Sequence, residues 1–237
     1  MSLLPGLHVV RRDDHHLQVG VDPPRRAVLP DQPDVRRLLA DLATGRTPEP
    51  ATPAGRRALA DLAEAGLLAG PVARGGAVAL TRGAGEVERL LRESGCTLDP
   101  AARVALLAVA GEVPRPDADD EVRAGRPHLV LGAHTHGWTV GPFVVPGRTA
   151  CLRCVDAHLG EQDPRRALVV EQLAGRPAAP ADPALATLAA AWAVRDALTF
   201  LGGGEPATWS ATVELGPELP PRRRTWARHP HCGCSWA

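Results

Sequence analysis

Four of the five cysteines in the chain form two closely spaced pairs. Cys151 and Cys154 stand in CLRC, Cys232 and Cys234 stand in HCGC, and 77 residues separate the pairs. A gap of one or two residues lets a tight turn direct two thiolates at one ion, and two such turns complete a tetrahedral zinc site. Because four thiolates leave no coordination position open, we expect structural zinc, with reduced or disulfide-linked thiols as the alternative.

Other candidate metal ligands lie near these pairs. His158, His229 and His231 are close in sequence, but four thiolates already fill the site, so we expect exposed or hydrogen-bonded imidazoles. Cys96 has no partner in the pattern and is expected to be a buried, inert thiol. His134 and His136 alternate along an apolar strand without a carboxylate or cysteine nearby in sequence, so we expect solvated histidines there.

A glycine-containing turn raises the question of nucleotide binding. An apolar strand (Ala77 to Leu80), the turn and an amphipathic helix follow in the order of a nucleotide-binding βα unit. Gly83 and Gly85 fit the first two positions of GxGxxG, but Glu88 stands at the third. Glu86 adds negative charge where a phosphate would lie at the helix N-terminus. We therefore expect no ATP site here.

The elements around these motifs alternate between strands and helices. We expect a strand within Ala102 to Val113, a charged turn from Asp117 to Arg123 and a buried strand in HLVLGAHTH. GWTVGPFVVPGRTACLRC is expected to form two extended pieces that lead to Cys151. PALATLAAAWAVRDALTFLGGG predicts a buried helix with a glycine stop, and TWSATVELG predicts a final strand.

The first 70 residues predict a separate small module. Three short strands, Leu7 to Arg11, Leu17 to Val21 and Arg25 to Leu29, precede two amphipathic helices in DQPDVRRLLADLATG and AGRRALADLAEAGLL. Thr52 before Pro53 fits an N-cap followed by proline at the first helical position. This is the composition of a winged-helix-like module.

A module of this kind binds either DNA or peptides. Residues 1 to 75 contain ten arginines and nine acidic residues, and neither helix has a purely basic stripe, so DNA binding is disfavoured. Peptide binding by addition of a strand to the exposed third strand is the remaining use. The candidate peptide-binding residues are Arg25, Arg26, Val28 and Leu29 on the strand and Arg56, Leu59 and Ala63 on the helix; for the apolar ones a core position is the alternative.

The composition restricts the function further. The 27 basic residues are all arginine and balance 27 acidic residues, so no net charge favours nucleic acid or an anionic membrane. A mechanism that needs a catalytic lysine or tyrosine is excluded, because the chain has neither. The chain begins without a signal-peptide pattern and its longest apolar run is short for a membrane span, which predicts a cytoplasmic protein.

Two stretches resemble one protein family. VGPFVVPGRTACLRCVDAHLGEQDP and RRTWARHPHCGC are similar to the ThiF-like cyclodehydratase partner ("C") proteins of azole-forming and thiopeptide pathways, which belong to the biosynthesis of ribosomally made, post-translationally modified peptides (RiPPs). The resemblance implies a winged-helix-like peptide-recognition domain (1-73) and a truncated ThiF/ubiquitin-activating-enzyme-like α/β domain (74-237) with a four-cysteine zinc site.

The resemblance also implies a function. Such proteins bind the leader of a precursor peptide and present its core to a YcaO-type, ATP-dependent cyclodehydratase, which makes the azoline rings. The degraded glycine loop and the absence of lysine depart from the adenylating members, so we expect a non-catalytic scaffold that binds zinc and no ATP; a homodimer is compatible with this role. An ATP-dependent adenylating enzyme and a zinc-containing DNA-binding regulator are the alternatives.

Overall fold

The chain forms two compact units. The computed structural model describes residues 1–69, 75–82, 85–178, 182–218 and 220–236. The units are Met1–Val72 and Ala73–Ala237. The expected domain boundary between residues 73 and 74 lies outside the described residues.

The first unit contains a three-stranded meander and two helices. Its elements are β1 (Ser2–Leu3), β2 (Val9–Arg11), β3 (His16–Val19), β4 (Ala27–Pro30), α1 (Pro33–Ala43), α2 (Pro53–Glu64) and β5 (Leu68–Ala69). Strands β2, β3 and β4 pair antiparallel in chain order, and β1 pairs with β5. The three predicted strands are therefore present, each shorter than its apolar run.

Local sequence accounts for both helices of this unit. In α1 the predicted apolar positions are buried: Val35, Leu38, Leu39 and Leu42. The Thr52 hydroxyl caps α2 by accepting a hydrogen bond from the Gly55 backbone N–H, and proline follows at the first helical position, as predicted. Asp34 accepts hydrogen bonds from the Thr52 hydroxyl and backbone N–H, and so connects the start of α1 to the start of α2.

The second unit is a layered α/β structure. Its elements are β6 (Ala77–Thr81), α3 (Gly85–Glu93), β7 (Thr97–Leu98), β8 (Ala105–Val109), α4 (Arg115–Arg123), β9 (His128–His134), β10 (Gly137–Val144), α5 (Leu152–Gly160), α6 (Arg166–Leu173), α7 (Pro183–Leu201), β11 (Ala211–Leu215), β12 (Arg222–Thr225) and a 3₁₀ helix (Gly233–Trp236). Seven strands form one sheet in the order β12-β11-β10-β9-β8-β6-β7.

This sheet is parallel in one half and antiparallel in the other. Strands β6, β7, β8 and β9 run parallel, whereas β9 through β12 pair antiparallel. Helices cover both faces, so the central strand β8 is apolar throughout. Leu106 of β8 joins the core that includes α3 and α7, while its neighbour Leu107 joins the core that includes α4 and α5.

Two sequence predictions in this unit are wrong. The stretch from Asp117 to Arg123 is not a turn but part of α4, in which Ala118 is buried against the sheet and Arg123 pairs with Asp120 one turn earlier. The stretch that leads to Cys151 also does not form two extended pieces, because β10 continues as one strand through Gly141 and Pro142, with a register shift between Val140 and Phe143.

Helix α7 is the longest element. It has 19 residues and a mean hydropathy of 1.4, so its length and composition alone would permit a membrane span. The apolar stretch is therefore longer than the sequence analysis suggests. The helix packs against α3, β9 and β10. Its buried Asp196 accepts hydrogen bonds from the backbone N–H groups of Ala207 and Thr208. These contacts are those of a core helix in an α/β unit.

Candidate metal centre and peptide-binding surface

The two cysteine pairs meet at one end of the second unit. Cys151 is the N-cap of α5 and Cys154 lies in its first turn. Cys232 precedes the C-terminal 3₁₀ helix, and Cys234 lies within it. Three of the four are buried and Cys234 is half-buried. The position at a helix N-terminus favours thiolates at Cys151 and Cys154, because the backbone N–H groups there are directed at the anion.

The sulfur positions fit a tetrahedral metal. All four Sγ atoms lie within 4.8 Å of one another. Sγ–Sγ distances are 3.7 Å for Cys151–Cys154, 3.6 Å for Cys151–Cys232 and 3.4 Å for Cys154–Cys234. Zinc–sulfur bonds of about 2.3 Å in a tetrahedron place sulfurs about 3.8 Å apart, whereas a disulfide requires about 2.05 Å. The donor set and its spacing suit zinc, and the disulfide alternative does not fit this geometry.

The pKa values of these cysteines are shifted by burial and by the hydrogen bonds among the four sulfurs. A hydrogen bond from the Cys151 thiol lowers the pKa of Cys154 to about 4, and donating it raises the pKa of Cys151. Burial raises the pKa of Cys232 to about 11. One thiolate is therefore stabilised by its neighbours' protons, and several adjacent buried thiolates require a positive ion.

Backbone hydrogen bonds around the sulfurs support the same arrangement. The N–H groups of Cys154, His229 and Cys234 donate to the Sγ atoms of Cys151, Cys154 and Cys232, respectively. Such donors stabilise thiolate ligands and fix their directions.

Arg228 and Trp226 hold the C-terminal segment in place, and no local sequence pattern indicates either role. Arg228 donates to the carbonyl oxygens of Gly147 (2.9 Å) and Cys234 (2.7 Å), so it links the turn before CLRC to the second pair. The Trp226 indole N–H donates to the Thr212 hydroxyl, and its ring packs in the apolar cluster that contains three of the cysteines.

The histidines beside the cluster form hydrogen bonds, as predicted. His158 Nε2 lies 3.0 Å from the Ala227 carbonyl oxygen. His229 Nδ1 accepts from the His231 backbone N–H, so its Nε2 carries the proton and donates to Glu161 at 3.0 Å. Possible ligand atoms of His158, Glu161 and His229 lie within 4.8 Å of one another, but this tautomer leaves His229 without a lone pair for a metal.

The segment in which the sequence suggests a nucleotide site, β6–α3–β7, does not include the cysteine cluster. The β6–α3–β7 unit is present, and Gly85 begins α3, whereas Gly83 lies outside the described residues. Glu88 and Asp99 line a small cavity of about 220 Å³ after β7. Asp99 already accepts a hydrogen bond from the Ala101 backbone N–H. An acidic residue after the second strand is the usual partner of a nucleotide ribose, so Asp99 is compatible with this motif and Glu88 is the residue that departs from it.

The acidic residues Glu86 and Glu88 form ion pairs with arginines of the same helix, α3. Glu86 pairs with Arg89 at 2.6 Å, and Glu88 pairs with Arg92 at 2.7 Å. The hydrogen bond from Arg89 lowers the pKa of Glu86. The Glu86 side chain thus stays ionised at neutral pH.

The predicted peptide-binding residues divide into exposed and buried groups. Arg25 and Arg26 precede β4 and are exposed, and Val28 points outward from β4 with 39% of its surface exposed. Leu29 is fully buried, because strand alternation directs it into the core. Its side chain therefore cannot contact a docked peptide in this conformation.

The helical part of the predicted surface is accessible. Helix α2 packs against β4. Arg56 and Ala63 are exposed and Leu59 is half-buried, and the spacing of the three places them on one face of the helix. Among the described residues, β4 pairs only with β3, so its second edge is open.

Two further predictions concern single residues. Cys96 is buried, and burial raises the pKa of its thiol, as expected for an inert cysteine. His134 and His136 are exposed, as predicted, but they share a shallow cavity with Glu214 and Glu218. Sheet pairing brings these carboxylates from 80 residues away in sequence, so sequence proximity could not indicate them.

Comparison with known proteins gives a clear structural result. No family model matches the chain, and no curated protein matches it in sequence. Its structure is similar to that of the heterocyclase TruD, with a TM-score of 0.72, 17% identity and coverage of 99% of this chain and 42% of that chain.

The structure is also similar to the microcin C7 biosynthetic enzyme MccB. MccB in complex with N-formylated MccA gives a TM-score of 0.62 at 14% identity, with 99% of both chains covered. MccB of E. coli with ATP gives a TM-score of 0.61 at 15% identity, with 98% of both chains covered.

These likenesses define a class of fold. The predicted mixed α/β fold is confirmed, its second unit contains one large sheet, and the fold is similar to that of TruD and MccB. The chain spans about two fifths of the length of TruD and nearly the full length of MccB.

Proposed function

We propose that this chain takes part in RiPP maturation as a cytoplasmic, non-catalytic partner protein. It binds the leader of a ribosomally made precursor peptide and presents the core to a YcaO-type cyclodehydratase for azoline formation. One observation carries the proposal: 99% of the chain superimposes on 42% of a heterocyclase. In the proposal, the catalytic remainder is supplied by the cyclodehydratase.

The peptide-binding part of the proposal rests on the open edge of β4. An extended leader adds to this edge through backbone hydrogen bonds, and its side chains contact Arg25, Arg26 and Val28. Arg56, Leu59 and Ala63 on α2 form the opposite wall. The solved complex of MccB with N-formylated MccA supports a peptide-handling role for this fold.

The metal part of the proposal rests on the four convergent sulfurs. Cys151, Cys154, Cys232 and Cys234 would hold a structural zinc ion that ties the C-terminal segment to α5. Four thiolates fill the coordination sphere, so the ion supplies stability and no open position for a substrate.

An adenylating enzyme is the second candidate, and the full-length likeness to MccB with ATP favours it. Against it stand Glu88 at the third glycine position and the absence of lysine, which leaves no ammonium group for the phosphates. We therefore propose that the YcaO-type cyclodehydratase, and not this chain, catalyses azoline formation.

Reconstitution tests the proposed function. The purified chain is combined with a YcaO-type cyclodehydratase, ATP and a precursor peptide, and the loss of water from the peptide is followed by mass spectrometry. We expect dehydration only when the chain is present and the precursor has its leader. Equal conversion without the chain, or with a leaderless core, would contradict the proposal.

Pyrophosphate exchange separates the two candidates. The chain is incubated with ATP, labelled pyrophosphate and precursor peptide, without the cyclodehydratase. We expect no incorporation of label into ATP; peptide-dependent incorporation would establish the adenylating enzyme instead.

A further inference from the structure

The first unit has an open groove on the side opposite to β4. It lies between β2, β3, the N-terminal segment and α1, and its volume is about 530 Å³, within the range of ligand pockets. Its walls are largely apolar and comprise Leu3, Leu7, Leu17, Leu39, Ala40 and Ala43. A space of this size accommodates two or three apolar side chains.

The backbone beside this groove is available for pairing. Among the described residues, β2 pairs only with β3, so the other edge of β2 presents unpaired N–H and C=O groups. Val10 in the middle of β2 is 49% exposed. An extended peptide can add to such an edge while alternate side chains enter a neighbouring groove.

The charges at the rim favour an acidic peptide. Arg11, Arg36 and His8 border the groove, and Asp31 is its one acidic lining residue. Arg36 donates a hydrogen bond of 2.7 Å to Asp31, whereas Arg11 forms an ion pair with the highly exposed Asp14 and donates to the Asp13 carbonyl oxygen at 3.1 Å. Surface pairs of this kind are weak, so Arg11 can exchange Asp14 for a carboxylate of a ligand.

We infer that β2 and α1 form a second docking groove, which takes a further extended segment of the precursor leader with alternating apolar and acidic residues. The inference rests on the proposed function. Segments that add to the outer edges of β2 and β4 are four strand spacings apart, about 19 Å, so a single leader can reach both with a linker of about six residues or more.

Filling the groove tests this inference. Ala40 is an exposed alanine on α1 that lines the β2 groove. Ala63 is an exposed alanine on α2 at the proposed β4 surface, and Ala60, also exposed on α2, serves as a matched control. The probe is the fluorescein-labelled leader of a precursor peptide, and its affinity is measured by fluorescence anisotropy. Circular dichroism and thermal melting verify that each variant is folded.

We expect Ala40→Phe to weaken leader binding about tenfold and Ala60→Phe to leave it unchanged. Wild-type affinity in Ala40→Phe, with weakened binding in Ala63→Phe, overturns the second groove and leaves the proposed function intact. Absence of saturable binding by the unmodified chain overturns the proposed function itself.

Charge reversal provides an independent test. Arg11 lines the groove, whereas exposed Arg12 donates to Gln18 and does not line it. We expect Arg11→Glu to weaken binding of the labelled leader at least fivefold and Arg12→Glu to have a smaller effect. With a leader whose Asp and Glu are replaced by Asn and Gln, the two variants should bind equally; a persistent difference would exclude charge recognition at this rim.

Discussion

The cysteine cluster and the β6–α3–β7 segment lie in the same unit, but their agreement with a ligand-binding motif differs. At the cluster, four sulfurs from segments 77 residues apart converge within 4.8 Å. In β6–α3–β7 the strand and helix order of a nucleotide-binding unit is present, but Glu88 stands at the third glycine position. A fold can therefore keep the framework of a motif while one of the residues of that motif is replaced.

The physical requirements of the two sites explain this difference. A tetrahedral zinc site needs four thiolates and no particular backbone beyond two tight turns. A phosphate-binding loop uses its glycines for a tight turn, for close approach of the backbone to the phosphate and for close helix–strand packing, and Glu88 stands where the third glycine would allow that packing.

Removing a cysteine ligand should have the largest effect. We expect Cys154→Ser to release zinc and to lower the free energy of unfolding by about 5 kcal/mol or more, since structural zinc contributes about 10–16 kcal/mol in small zinc domains. Cys96→Ser is the matched control, because Cys96 is also buried but lies outside the cluster. Metal analysis and thermal melting provide the readout; equal stability of the two variants would contradict a metal at the cluster.

The buried Arg115 should have the next largest effect. Its guanidinium donates two hydrogen bonds to Asp156 on α5, at 2.6 and 2.8 Å, and a third to Glu112. Arg115→Ala leaves Asp156, on the helix that holds Cys154, with only the longer 3.7 Å ion pair to Arg166 among the described residues, so we expect a loss of about 3 kcal/mol. The exposed Arg123→Ala should cost less than about 1 kcal/mol in the same denaturant titration.

Restoring the glycine at the nucleotide position should not restore nucleotide binding. Glu88→Gly removes one acidic side chain, but no lysine is supplied, so we expect no saturable ATP binding by calorimetry. The variant should lose about 1 kcal/mol of stability, because glycine is a poor helix former. Tight ATP binding by Glu88→Gly would contradict this expectation, because it would show that the Glu88 side chain alone prevents nucleotide binding.

His128 should give the smallest effect, visible in the pH dependence. Burial lowers the pKa of His128, and its Nδ1 hydrogen bonds to the Arg126 carbonyl. The unfolded chain binds this proton more readily, so stability is full above pH 6.5 and falls below it, by at most about 1.4 kcal/mol per pH unit. His128→Gln should flatten the change in melting temperature between pH 7.5 and 5.5, whereas the exposed His136→Gln should not.

The sequence predicts local features of this molecule well. The buried positions of α1, the Thr52 cap and the long helix α7 follow from apolar spacing and capping chemistry. The convergence of the cysteine pairs could also be predicted, because a spacing of one or two residues directs both thiols of a pair to the same side.

Features that depend on tertiary pairing were not predictable in the same way. Helix α4 has few apolar positions, and its stability comes from Ala118 against the sheet. Arg228 contacts carbonyl groups far apart in sequence, which no local pattern reveals. Leu29 is directed into the core by the exact register of β4, and a shift of one residue would expose it.

Equilibrium titration of the leader is the most direct test of the central claim. The labelled leader of a precursor peptide is titrated with the zinc-loaded chain in the absence of ATP and of any partner, and anisotropy is recorded. We expect saturable binding with a dissociation constant well below about 100 μM, a value that corresponds to a binding free energy of roughly −5.5 kcal/mol. No saturation up to that concentration would contradict a leader-binding function.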